Sequence, residues 1–169
     1  MAQETTSEGL RNKACGACGG RWVELSDYWR WRASGVETEG SVATTSIVLA
    51  EEALFRACPS DGYRLAQYDV GDPLAFSLDQ CRNCGGVWFD GGEWESLIAH
   101  RLSDQLPLIL SDEWQSRVQE AARRDLERKQ WERQLGADLG RIEEIKSWLD
   151  EHPKRSELYA FLNVHGRVE

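Results

Sequence analysis

Cys15-Gly-Ala-Cys18-Gly-Gly-Arg-Trp22-Val-Glu24 and Cys81-Arg-Asn-Cys84-Gly-Gly-Val-Trp88-Phe-Asp90 are two copies of one pattern, set 66 residues apart. Both cysteines, both glycines and the tryptophan recur in register. An acid follows two places after each tryptophan, and Asp27 and Glu93 repeat the match three places further on. A Cys-x-x-Cys step turns two thiolates towards a single ion, and the glycines after it let the chain double back where a Cβ would clash. Two such steps with the same tail point to bound zinc.

Composition frames that reading. Of the 169 residues, 41% are hydrophobic and 29% charged, which suits one ordinary soluble domain or a small metal domain with a helical attachment. No apolar run approaches the ~20 residues that span a bilayer. Met1 to Lys13 is polar and lacks an apolar signal segment, so secretion is not expected. Five cysteines is an odd number and four of them sit in tight pairs, which fits reduced, metal-binding thiols in a cytoplasm better than a disulfide framework. The formal charge of −9 opposes non-specific attraction to nucleic acid, while leaving room for a local basic strip. Five of the eight tryptophans (Trp22, Trp29, Trp31, Trp88 and Trp94) cluster around the knuckles, where a small core needs a few large side chains.

The expected fold class is α+β: a small zinc ribbon, built from a β-hairpin and Cys-x-x-Cys knuckles, followed by a helical C-terminal region. Residues 1–13 read as a disordered tail, 14–102 as the zinc-ribbon domain with an internal loop at 34–46, and 103–169 as the helical region. Tyr28, Trp29 and Trp31 suggest a short element packed on the first knuckle, and Ile47-Val48-Leu49 suggests a short strand. Tyr63 to Val70 and Leu74 to Leu78, parted by Gly71-Asp72-Pro73, read as a hairpin that delivers the chain into Cys81. Asp90-Gly-Gly-Glu93 is a capping-box pattern that opens a helix from about Gly91 to Leu102. Ser111 is placed to cap a long helix ending near Leu135-Gly136. A third helix, Asp138 to Glu151, sets Leu139, Ile142, Ile145 and Leu149 on one face, and a last one starts at Ser156 and is closed by Gly166.

Cys58-Pro-Ser-Asp61-Gly, the hairpin, and Cys81-Arg-Asn-Cys84-Gly-Gly-Val-Trp88-Phe-Asp90-Gly-Gly-Glu93-Trp94 together resemble the transcription-factor-IIB-type (TFIIB-type) zinc finger family, which is widespread in bacteria. Its pattern is Cys-Pro-x-Cys-Gly, a hairpin, then Cys-x-x-Cys-x-Gly-x-Trp-Leu-Asp-x-Gly-Glu. The resemblance covers about residues 58–95, with a second matching knuckle at 15–28. It implies a zinc-ribbon fold, bound zinc, and Cys58, Cys81 and Cys84 as ligands. At the fourth ligand position Asp61 replaces cysteine.

That replacement leaves two ligand sets. Cys15, Cys18, Cys81 and Cys84 would close one structural Zn2+ site with four thiolates, the more favourable soft-ligand set, and the repeat would give it approximate two-fold symmetry. Alternatively Cys58, Asp61, Cys81 and Cys84 would hold the ion, with a carboxylate oxygen as the fourth donor. Nothing points to catalysis. His100, His152 and His165 lie outside the knuckles without ligand spacing, Glu93 has a structural role at its cap, and no phosphate loop or Ser/His/Asp signature is present.

The helical region mixes Arg117, Arg123, Arg124, Arg128, Lys129 and Arg133 with Glu120, Asp125, Glu127 and Glu132, the pattern of a solvated helix laced by pairs one turn apart. The leading reading is therefore a cytoplasmic, non-enzymatic zinc-ribbon protein that acts by binding another protein. The alternatives are a transcription-associated nucleic-acid-binding zinc finger, and a thiol redox or metal-sensing switch.

Overall fold

Tyr68 and Val70, then Leu74 and Leu78, are buried at every second residue or across the turn between them, and this alternation builds the hairpin on which the sheet rests. The computed structural model describes residues 1–35 and 56–165. The expected strand at Ile47-Val48-Leu49, most of the expected loop and the closing Gly166 lie outside the described residues. The strands are β1 (Ala2–Thr5), β2 (Arg11–Ala14), β3 (Arg21–Val23), β4 (Ala66–Gly71), β5 (Leu74–Gln80) and β6 (Val87–Phe89). The helices are α1 (Leu25–Ala33), α2 (Glu93–Ala99), α3 (Leu106–Ile109), α4 (Asp112–Leu135), α5 (Asp138–Glu151) and α6 (Arg155–His165).

All six strands form one antiparallel sheet in the order β1-β2-β3-β6-β5-β4. The order is a palindrome of two similar units. Each runs through a hairpin, a Cys-x-x-Cys knuckle, a short strand and a helix, and the two join where β3 meets β6 with Trp22 opposite Trp88. Residues 1–13 are therefore not a tail: most of them make the β1-β2 hairpin. β1 is an edge strand exposed along its whole length, so no apolar alternation marks it in the sequence.

Strand periodicity sends Trp22 and Trp88 to one face of the sheet and Val23, Val87 and Phe89 to the other. The second face carries the larger core, roofed by Tyr28 and Trp31 of α1, Trp94 and Leu97 of α2, and Leu106 and Ile109 of α3. Trp31 and Phe89 meet the Trp94 ring edge to face at 4.9 and 5.5 Å. On the first face each tryptophan packs on the other copy's second glycine. A Cβ on Gly20 would lie 2.3 Å from the Trp88 ring, and one on Gly86 would lie 2.2 Å from the Trp22 ring. Glycine and tryptophan thus recur together in the motif because each copy's ring fills the other's glycine.

The chain divides into two units, Met1–Gln119 and Glu120–Glu169. Residues 103–119 belong to the first unit, where Leu106 and Ile109 enter its core. The start of α4 closes the β4 edge. Trp114 Nε1 donates to Val70 O at 3.0 Å, while the Gln115 amide accepts from Asp69 N at 3.0 Å and donates to Asp69 O at 2.9 Å. Ser111 Oγ caps α4 by accepting from Trp114 N at 3.2 Å. In the second unit α5 spans the expected residues, and Tyr159 Oη of α6 donates to Asp150 Oδ1 of α5 at 2.7 Å.

Candidate metal centre

Three segments share one backbone shape. In residues 15–20, 58–63 and 81–86 the glycine at the fifth position donates to the carbonyl of the leading cysteine (2.9, 2.9 and 2.8 Å), and the cysteine N–H donates to the sixth residue's carbonyl (2.8, 2.7 and 2.9 Å). The fifth residue sits at φ +70, +78 and +75°, a left-handed conformation that glycine adopts without Cβ strain. This turn aims the cysteine side chains at one point.

Two of the three knuckles face each other. An isolated bridge between Ala57 and Arg64 and the bond from Leu65 N to Arg56 O (2.9 Å) close the base of the 58–63 knuckle, and the pairing of Ala66 with Gln80 in β4-β5 sets it beside the 81–86 one. Cys58, Asp61, Cys81 and Cys84 thereby bring their donor atoms within 4.8 Å of one another. Cys58 Sγ and Cys84 Sγ are 3.6 Å apart, and Cys81 Sγ is 3.5 and 3.4 Å from the two Asp61 carboxylate oxygens. In a tetrahedron with zinc–sulfur bonds near 2.3 Å and zinc–oxygen bonds near 2.0 Å, the sulfur–sulfur edge is about 3.8 Å and the sulfur–oxygen edge about 3.5 Å. The group fits one zinc ion. Bound there, zinc supplies a structural cross-link between the two knuckles.

Cys15 and Cys18, half of the expected four-thiolate set, are not in this group. The reason is the antiparallel pairing of β3 with β6, which sets Arg21 opposite Phe89 and Val23 opposite Val87. The knuckle that precedes Arg21 consequently lies at one end of the ladder and the knuckle that precedes Val87 at the other. The repeat does produce two-fold symmetry, but its axis passes between Trp22 and Trp88 and keeps the thiolate pairs apart.

Asp61 is tied down by Tyr63 N (3.0 Å, to Oδ1) and Asn83 Nδ2 (3.0 Å, to Oδ2). Hydrogen bonds from the Cys58 thiol, Asn83, the Tyr63 N–H and the Cys81 thiol hold its carboxyl well below the usual range. Burial, reinforced by the Asp61 carboxylate, pushes the Cys58 thiol up to about 12. A divalent ion takes the place of those thiol protons, so loading releases protons. Behind the cluster, Arg56 stacks on the Trp88 ring at 5.0 Å and pairs with Asp90 at 2.7 Å, and Trp88 Nε1 donates to Asp90 Oδ1 at 2.9 Å. Asp90 is thus engaged by Arg56 and Trp88 instead of capping α2. With cysteine at position 61, the site would have four thiolates. Asp61→Cys is expected to raise zinc affinity about tenfold or more in a chelator competition, and an unchanged affinity would argue that residue 61 is not a ligand.

The other flagged groups stay outside the centre. His100 Nδ1 lies 2.9 Å from Ser96 O, and His152 lies against Trp148 and accepts from Lys154 N at 3.1 Å. Glu93 keeps its half of the capping box, Oε2 accepting from Asp90 N at 2.7 Å. Burial lifts its carboxyl to about 8 against the lowering effect of that N–H, with the charges of Asp90 and Asp79 adding to the rise. The sign follows: a folded value above the unfolded one contributes stability that is full below about pH 4.5 and is lost as pH rises through about 8. A shift of this size is worth roughly 4–5 kcal/mol at full expression. Glu93→Gln retains the acceptor and cannot ionise. In urea unfolding the variant should gain on the wild type steadily from pH 5 to 8.5, and parallel pH profiles would contradict this.

The cluster, the hairpin and the knuckles coincide with what comparison with known proteins finds. No curated protein and no solved structure matches the chain. Among the described residues no helix is long and apolar enough to cross a membrane. Residues 57–100 match the family model described as transcription factor zinc-finger, so this segment is similar to zinc ribbons of the TFIIB type.

Proposed function

We propose that the chain is a non-enzymatic zinc-ribbon protein in which Cys58, Asp61, Cys81 and Cys84 hold a structural zinc ion and the helical unit docks a protein partner through an apolar face. Four side chains fill the tetrahedron, the closed arrangement of a structural site, where a catalytic zinc keeps a position for water. The observation that supports docking is the second unit itself. Among its described residues Leu149 alone is buried, while Ile142, Ile145 and Trp148 follow one another at three-residue spacing on α5 with 44, 50 and 56% of their surfaces exposed. So small a helical unit cannot offset its ordering entropy with one buried side chain, and an apolar stripe of this kind is stabilised by a second surface.

The basic residues of α4 give little support to a nucleic-acid face. Arg123 and Arg124 both pair with Glu120, Lys129 pairs with Asp125, and Arg128 bridges Glu132 and Glu143. Chemical cross-linking of the full chain at 0.5 M salt is expected to capture a defined protein. Ile145→Asp should abolish that capture while leaving zinc content and circular dichroism unchanged. Duplex DNA or RNA bound tightly at about 150 mM salt, with capture insensitive to Ile145→Asp, would favour the nucleic-acid reading instead.

A further inference from the structure

The 15–20 knuckle has the same backbone bonds and the same left-handed glycine as the two knuckles of the metal centre, yet faces no second knuckle among the described residues. Cys18 is exposed and Cys15 half-buried, so both are accessible. No His, Cys, Asp or Glu among the described residues joins them in a group of three. In the C-terminal copy the other two donors come from residues 58–63.

The tip is shaped for close approach. Gly16, Ala17 and Gly19 carry almost no side chain, and a Cβ on Gly16 or Gly19 would meet nothing within 4 Å. At the equivalent place on the other knuckle, a Cβ on Gly85 would meet Leu25 at 2.9 Å. Residues 15–20 bear no charge, and the flanking Lys13 and Arg21 are neutralised by Glu24 and Glu95. The repulsion between two acidic chains therefore has no local focus at the tip and is screened beyond about 8 Å at physiological salt.

We propose that Cys15 and Cys18 are half of a second zinc site that two copies of this chain complete together, four thiolates from two identical knuckles surrounding one ion on a two-fold axis. A second copy supplies two further donors in the same geometry and of the soft type zinc favours. Each ion bound releases the protons still carried by its four thiols, and no oxidant or reductant is required.

The test is zinc titration of the reduced, full-length protein, followed by sedimentation equilibrium and metal analysis. Wild type should pass from monomer to dimer as zinc rises and hold three zinc ions per two chains. A chelator should remove the bridging ion first and return a monomer with one zinc. Cys18→Ser and Cys15→Ser should each remain monomeric with one zinc per chain and native circular dichroism. A wild-type monomer holding one or two zinc ions at saturation would overturn the proposal, as would a dimer that persists in both variants. Complete zinc loss from Cys18→Ser would also overturn it, and would show in addition that the ion shared by the 58–63 and 81–86 knuckles is wrongly assigned.

Discussion

Cys81→Ser is expected to abolish stoichiometric zinc and lower the unfolding midpoint of the first unit by roughly 20 °C or more. Structural zinc contributes roughly 10–16 kcal/mol of apparent binding energy in small finger peptides, comparable with the whole stability of a domain. Here the sheet also has its own core on the opposite face, so part of that loss is absorbed. Even about 5 kcal/mol at about 4 °C per kcal/mol gives the stated shift. Cys81 is fully buried, so the serine also leaves a hydroxyl among Trp22, Leu65 and Trp88 where a thiolate had metal compensation. Calorimetry with metal analysis checks it. A variant that melts like the wild type would show that the knuckles hold without metal.

Trp22→Ala should cost about 3–5 kcal/mol, the range for deleting a buried tryptophan. The ring is fully buried, stands opposite Trp88 across the β3-β6 ladder and fills the space over Gly86. Its loss leaves a cavity at the joint between the two copies and loosens the Cys81–Gly86 knuckle, so zinc affinity should fall with stability. Trp29→Ala makes the control: that ring is 45% exposed and should cost under about 1 kcal/mol. Urea unfolding of the two variants separates them, and equal midpoints would contradict the described packing.

The residues carry much of this plan openly, and where they do not the reason is physical. The β4-β5 hairpin was legible because Tyr68, Val70, Leu74 and Leu78 alternate, and α4 and α5 because Ser111 caps one and Asp138 to Glu151 keeps a helical period. The β1-β2 hairpin was not, since an edge strand exposed on both faces carries no hydrophobic signature and residues 2–14 share no side chains with 68–80 at the repeat spacing. The same repeat suggested one symmetric site. Sequence similarity cannot reveal whether the two strands after the knuckles run parallel or antiparallel, and that alone decides whether four thiolates meet. Asp61 departed from the cysteine of the family pattern, yet the Asx turn at Tyr63 and the Asn83 amide hold its carboxylate where that cysteine would stand. Leu106 and Ile109 fell in the expected helical region, yet they enter the core of the first unit, and Pro107 between them sits in the first turn of α3, where proline is tolerated.

The ligand set is tested most directly by zinc content at one added equivalent in Cys58→Ser and Cys15→Ser, purified and refolded side by side. With Cys58, Asp61, Cys81 and Cys84 as ligands, Cys58→Ser should lose tightly bound zinc as completely as Cys81→Ser, while Cys15→Ser keeps one ion per chain. Zinc retained by Cys58→Ser and lost from Cys15→Ser would contradict the account and return the site to the paired knuckles of the repeat.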